Sequence, residues 1–317
     1  MGTLAMEMPK AEEVGRFDAL IARARALPPL KVAVCFPCSE VALAGALDAA
    51  TSGLMDPILV GPAKQIQHCA ELLKVDISKF SLIEAADADQ AATICVQLCR
   101  SGQAAGLMKG SLHTDAFLRP VLSRDKGLRT ARRVSHIFVM ETAAYARSLL
   151  ITDAAINIAP SLEDKVDIVQ NAIDLAHVMG VQMPKVAILS AVETVHPKIA
   201  STVDAAALCK MAERGQITGG ILDGPLAFDT AVSHEAAKIK QLTSRVAGEA
   251  DVLVVPDLES GNMLAKQLEY LGGARLAGIV VGASVPIILT SRADSALTRM
   301  TSAAIASLMS DAMGAGL

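Results

Sequence analysis

Ser291, Arg292 and Asp294 place a hydroxyl donor, a fixed cation and a carboxylate within four residues, at the end of the apolar run in 285–295, VPIILTSRADS. Such a grouping can stabilise a developing negative charge and move a proton. The same residues serve equally well as helix caps, with Asp294 or Ser291 closing the first turn. A second cluster is Lys109-Gly110-Ser111-Leu112-His113-Thr114, followed by Leu118-Arg119-Pro120. A Lys-Gly-Ser turn offers backbone N–H groups, a hydroxyl and a cation to an oxyanion at a helix start; an ordinary turn with a solvated lysine is the alternative.

Three further stretches carry polar chemistry. Arg124, Lys126, Arg129, Arg132 and Arg133 form a basic run. Guanidinium forks of this kind match phosphate oxygens, although charge runs also simply face water. Asp223 and Asp229 are six residues apart around Gly224-Pro225, and they can flank a ligand or shape turns. In the segment PDLESGN, Asp257, Gly261 and Asn262 stand where a helix opens, so exposed N–H groups and an amide are available to an anion or to a cap.

Each of these stretches follows a short apolar run, and the runs require elements to hold them. Strands are predicted at 31–34, 56–60, 105–108, 136–140, 149–152, 186–190, 220–224, 252–255 and 277–281, with a last one after Ser284. Helical spacing predicts helices at 40–52, 63–73, 86–101, 162–179, 198–213, 234–246, 261–271 and 294–313. Ser161 and Asp164 have the form of a capping box. Alternation of this kind, with strands too apolar to be half-exposed, implies an α/β fold of buried, parallel strands covered by helices.

A chain of 317 residues leads us to expect two domains. The polar stretch ending near Tyr145 divides one βα set from the next, and the final strand and helix are too little for a domain alone. We therefore assign 1–145 plus 285–317 to a first, discontinuous domain and 146–284 to a second. With 52% apolar residues, 20% charged residues and no Trp, the cores must be aliphatic. A net charge of -4 gives no field to hold nucleic acid, so an anion site must be local.

No apolar stretch approaches the ~20 residues that span a bilayer, and the first residues lack the apolar centre of a secretory signal. The six cysteines of a chain this long fit a reducing compartment, so a cytoplasmic location is expected. Cys35 and Cys38 have redox or metal spacing, but no second pair accompanies them and the six histidines are scattered, so no metal is expected.

Taken in order, KGSLHTDAFLRP (109–120), TVDAAALCKMAERGQITGGILDGPLAFD (202–229), PDLESGN (256–262) and VPIILTSRADS (285–295) resemble the phosphate acetyl/butyryltransferase family from about residue 32 onward. The likeness extends to the acyltransferase part of enoyl-CoA hydratase/phosphate acetyltransferase fusions. It implies an isocitrate-dehydrogenase-like architecture, two α/β/α domains with mostly parallel sheets and an interdomain cleft. It also implies a homodimer and reversible acetyl or butyryl transfer between coenzyme A and inorganic phosphate. Acyl-CoA, phosphate and acyl phosphate would then be the partners, with coenzyme A as substrate and no tightly bound cofactor.

In the family's acetyltransferases a Ser-Arg pair matches Ser291 and Arg292, but the catalytic Asp seven residues after that Ser is Thr298 in this chain. Asp294 becomes the substitute base, Ser291 the donor to the oxyanion, and Arg292 with Arg119 the holders of phosphate. Lys109, Ser111, His113, Thr114, Arg133, Asp223, Pro225, Asp257, Gly261 and Asn262 are the expected substrate-binding positions. Two alternatives stand beside this reading. One is an NAD(P)-dependent decarboxylating dehydrogenase of the same fold, with Asp223, Asp229 and Asp257 as metal carboxylates; the other is a catalytically silent ligand-binding protein, which the Thr298 departure would suit.

Overall fold

In a computed structural model, which describes residues 15–290 and 294–315, the alternation of apolar and amphipathic runs builds eleven strands and eleven helices among those residues. The first part of the chain forms α1 (Arg16–Arg25), β1 (Leu30–Cys35), α2 (Glu40–Thr51), β2 (Met55–Gly61), α3 (Ala63–Leu73), β3 (Ser81–Glu84), α4 (Ala88–Arg100), β4 (Gly106–Lys109) and α5 (Thr114–Val121). A hairpin, β5 (Ser135–Thr142) and β6 (Tyr145–Thr152), leads to α6 (Leu162–Val178), β7 (Lys185–Leu189), α7 (Ala200–Glu213) and β8 (Ile221–Leu226). The chain continues through α8 (Phe228–Val232), α9 (His234–Ile239), β9 (Val252–Val254), α10 (Leu258–Tyr270), β10 (Arg275–Val281), β11 (Ile287–Ile288) and α11 (Ala296–Gly314).

All the strands share one sheet in the order β3-β2-β1-β4-β11-β10-β5-β6-β9-β7-β8. Its wings are parallel, as buried apolar strands such as β1 and β4 lead one to expect. The middle is not: β10 runs antiparallel to both β11 and β5, and β5 antiparallel to β6. The reason is local, because only Ala143 and Ala144 separate β5 from β6, far too few residues for a parallel crossover.

Helix boundaries follow their caps. The Ser161–Asp164 capping box is formed in both directions. α10 opens earlier than its spacing predicts because Asp257 caps it, and α11 is capped by Ser295, whose side chain accepts from the Thr298 N–H. α9 stops at Ile239, short of the predicted 246, and Gln241 just beyond takes a φ of 54° that no helix continues. Among the described residues no helix is long and apolar enough to cross a membrane.

α1, which lies before the predicted elements, is nonetheless amphipathic, burying Phe17, Leu20, Ile21 and Ala24 at i, i+3, i+4 and i+7. Its first N–H groups need partners that the helix cannot supply. The buried Glu141 carboxylate accepts from Arg16 N and Phe17 N, both at 3.3 Å, while Arg275 donates to the same carboxylate at 2.8 Å. At the other end Arg23 donates to the Val178 and Met179 carbonyls, satisfying the C-terminus of α6. Phe17→Ala is expected to cost about 3–5 kcal/mol and to lower the melting temperature by several degrees; a melting curve superimposable on the parent's would show that α1 does not hold the body together.

Candidate active site

Within each wing the parallel strands point their C-terminal ends the same way, and the turns there can converge on a ligand; the two wings run in opposite directions, so the end of β4 and the end of β6 approach the antiparallel middle from opposite sides. A cleft of about 360 Å³ opens there. Lys109 reaches it from the end of β4, and Leu112, His113 and Thr114 from the turn into α5. His136 and Phe138 come from the start of β5, Ala155 from the loop after β6, and Asn262 with Lys266 from α10. Leu289, Thr290 and Asp294 close it from the connection between β11 and α11.

The turn carrying Lys109 passes under β1 so closely that only glycine fits at 110. A Cβ there would lie 2.4 Å from the Cys35 carbonyl oxygen, and the Gly110 and Ser111 N–H groups donate to the carbonyls of Cys35 and Phe36 at 2.9 Å each. Ser111 faces the other way, donating its hydroxyl to Ser39 Oγ at 2.9 Å in an adjoining cavity of about 220 Å³ that shares Lys109 and Thr290 with the cleft and includes the buried Arg299.

Charges of both signs meet in the cleft. Lys109 and Asp294 are each 8% exposed. Burial works against the charge of Lys266, but its hydrogen bond to Glu269 and the carboxylates of Glu269 and Asp294 outweigh it, so the ammonium titrates above its ordinary value. His136 is pushed down to about 4 by burial, which the Asp153 carboxylate and the Leu289 carbonyl only partly offset. The imidazole is therefore neutral at neutral pH.

Asp153 fixes the ground beneath this site. Its buried carboxylate accepts from His136 N at 3.1 Å, Ala155 N at 2.9 Å, Ile156 N at 3.0 Å and Asn157 Nδ2 at 2.6 Å. Asn157 in turn accepts from Arg133 Nε at 2.7 Å. Four donors on one buried carboxylate offset its desolvation and tie the start of β5 to the loop after β6.

Lys109, His113, Thr114, Asn262 and Asp294 are thus brought together, with Ser111 in the adjoining cavity. Because Ser295 caps α11, the capping alternative for Asp294 gives way. Ser291 and Arg292 lie outside the described residues. Gly261 packs a helix turn beneath the cleft; a Cβ there would meet Val255 at 2.6 Å, and this closeness brings Asn262 Nδ2 to 3.3 Å from the Ala154 carbonyl. Asp257 caps α10, held below the usual carboxylate range by the Ser260 backbone N–H and hydroxyl.

Other expected positions are elsewhere. Arg119 is 71% exposed, with Nη1 3.8 Å from Asp89. Five residues beyond Thr114, it has turned about 140° around α5 from the residues that line the cleft. Arg133 is used in bracing: Nη1 pairs with Asp164 at 2.7 Å and its N–H donates to Asp167 at 2.8 Å, while the neighbouring Arg132 pairs with Asp174. Asp223 accepts from the Gly224 N–H at 2.8 Å and Pro225 follows a cis bond, both on the edge strand β8 away from the cleft.

His136 and Lys266 were not among the expected residues. Lys266 had a readable signal, since it follows Asn262 by four residues on one helix face. His136 had none, being the first residue of the apolar run 136–140, HIFVM.

A sequence profile of the family described as phosphate acetyl/butaryl transferase matches residues 87–307. A phosphate acetyltransferase of Rhizobium meliloti is 56% identical over 293 residues, covering 92% of this chain and 93% of the relative. A phosphate butyryltransferase of Clostridium acetobutylicum is 43% identical over 293 residues, covering 92% of this chain and 97% of its own length. Among solved structures, a branched-chain phosphotransacylase from Enterococcus faecalis V583 superposes with a TM-score of 0.76 at 29% identity, covering 89% of this chain and 99% of that one.

The thiols near these turns are chemically quiet. Burial first, then the neighbouring Cys69 and Cys35, raise Cys38 to about 12; burial raises Cys99 to about 12, and burial with Asp223 and Glu213 raises Cys209 to about 12. A thiol of that pKa is about one part in 10⁴ thiolate at pH 8, so iodoacetamide at that pH should label these three far more slowly than free cysteine and label all six after denaturation. Rapid alkylation of native Cys38, read by mass spectrometry, would restore the redox reading of the Cys-x-x-Cys spacing.

Proposed function

The chain belongs to the phosphate acetyl/butyryltransferase family, and from that premise we propose that it moves a short acyl group reversibly between coenzyme A and inorganic phosphate. The observation that carries this reading is the convergence of Lys109, His113, Thr114, Asn262, Lys266 and Asp294 in one cleft from three separate parts of the chain. Two cations and the N-terminal amides of α5 suit phosphate oxygens, and a shielded carboxylate suits a proton. The floor formed by Leu112, Phe138 and Leu289 suits a short apolar chain.

In this scheme Asp294 takes the proton of the coenzyme A thiol. The sulfur attacks the carbonyl carbon of the acyl phosphate, and the carbonyl electron pair moves onto oxygen. Collapse of that tetrahedral state breaks the bond from carbon to the phosphate oxygen, releasing phosphate and leaving the thioester. In reverse, a phosphate oxygen attacks the thioester and the departing sulfur regains its proton. Lys109 and Lys266 balance the phosphate charge. Ser291 and Arg292 keep their proposed roles at the oxyanion and the phosphate, a reading supported by their place in the chain between Thr290 and Asp294, both on the cleft wall.

Acyl-CoA, phosphate and acyl phosphate are the partners, with no tightly bound cofactor, in a cytoplasmic homodimer. Pairing of two copies would cover exposed apolar side chains of α10 such as Met263 and Tyr270. The division into 1–145 with 285–317 and 146–284 would put both boundaries beside the antiparallel middle of the sheet, after the first residue of β6 and just before β11.

Coenzyme A release from acetyl-, propionyl- and butyryl-CoA should require inorganic phosphate; release that is indifferent to phosphate would replace transfer by hydrolysis. Asp294→Asn should lower kcat for thioester formation by about 10²–10⁴-fold. Turnover close to the parent's would assign the proton to another group.

A further inference from the structure

His136 lines the cleft, and the transfer scheme gives it no task. It is fully buried, and among the described residues neither ring nitrogen has a hydrogen-bond partner of good geometry; the Leu289 carbonyl stands near enough to favour the charged form but not to close a well-aligned bond. An imidazole carries a donor or an acceptor at each nitrogen, and burying both unmatched costs stability. The surroundings hold the ring in place all the same. Phe138 meets it edge to face, with centroids 4.4 Å apart and planes at 75°. Gly278 leaves room beside it, since a Cβ there would lie 3.1 Å from Nε2 and 2.6 Å from the Leu289 carbonyl oxygen. The carboxylate of Asp153 fixes the His136 backbone from below.

The ring also stands where two halves of a substrate would join. Leu112, Phe138 and Leu289 provide an apolar floor, while Lys109, Lys266 and Asp294 supply the charge. A short acyl chain on that floor, with its phosphate or thiol end among the charged groups, brings its carbonyl to the boundary between them. A neutral imidazole suits that position. It polarises a carbonyl without adding a charge that would hold an anionic ground state as tightly as the transition state.

We propose that His136 donates a ring N–H to the carbonyl oxygen of the acyl group in transfer, fixing that oxygen as it gains negative charge. The assignment rests on the acyl-transfer reading and adds to it a residue that touches the reacting carbonyl.

The test compares the parent with His136→Phe, which keeps a flat ring without nitrogen, and His136→Gln, which restores an N–H. With acetyl-CoA and phosphate, His136→Phe should lose about 100-fold in kcat while its KM for phosphate stays within about threefold, and His136→Gln should recover about tenfold of the loss. Infrared spectra of acetyl-CoA labelled with ¹³C at the carbonyl, bound without phosphate, should show the carbonyl band at lower wavenumber with the parent than in water. That displacement should vanish in His136→Phe.

A kcat for His136→Phe within about threefold of the parent overturns the assignment, as does a displaced band that persists in that variant. Should the phenylalanine variant fail to fold, an undisplaced band in the parent, or a His136→Gln variant as slow as one lacking any donor, about 100-fold down, overturns it instead. A parent that releases no coenzyme A with phosphate overturns the transfer reading and this assignment together; an active parent with an indifferent His136→Phe overturns this assignment alone.

Discussion

Everything at the cleft depends on one run of backbone hydrogen bonds, the antiparallel pairing of β10 with β5 from Arg275 opposite Glu141 to Val281 opposite Ser135. On its other side β10 pairs with β11, Ile279 opposite Ile288 and Val280 opposite Ile287. Through this single strand, the segment that delivers Leu289 and Thr290 is held at a fixed distance from the segment that delivers His136 and Phe138. Side chains alternate along a strand, so a slip of one residue between β10 and β5 would turn His136 and Phe138 to the opposite face of the sheet, and a slip between β10 and β11 would do the same to Ile287 and Ile288. The apolar run of β10, buried along almost its whole length, gives that register its energetic preference.

Polar side chains then tie the strands to their loops. Asp153 accepts four donors and joins the start of β5 to the loop after β6, while Glu141 at the other end of β5 gathers two N–H groups of α1 and the guanidinium of Arg275. Both carboxylates are nearly buried, at 2% and 5% exposure, and each is matched by enough donors to offset the loss of water. Arg132 and Arg133 belong to the same bracing, because their partners on α6 are carboxylates of this chain. The cations that line the cleft are others, Lys109 and Lys266.

The layered α/β pattern was legible because buried strands and amphipathic helices leave periodicities of their own. Lys109, His113, Thr114, Asn262 and Asp294 were legible because each follows an apolar run, and turns at strand ends converge. Strand direction was not, since an apolar strand buried on both faces reads alike in either sense; the short links between β5 and β6 and between β10 and β11 announce the change. Arg119 and Arg133 illustrate a different gap. Charge type shows in a sequence, but whether the charge is already matched depends on carboxylates far away in the chain or on the turn of a helix. His136 was hidden because its meaning comes from an absence of partners, which only the packed fold reveals.

The strand order has a consequence for how the protein is made. β10 and β11 are synthesised after the other nine strands of the sheet, yet they fill its centre, between β4 and β5. Until they leave the ribosome, the nascent chain already contains every other strand, with the inner edges of β4 and β5 unpaired. Unpaired apolar edges are the templates on which chains join wrongly. The window between the emergence of β5 and that of β11 is thus the interval in which this polypeptide has most need of a chaperone, and slowing translation there would lengthen the exposure.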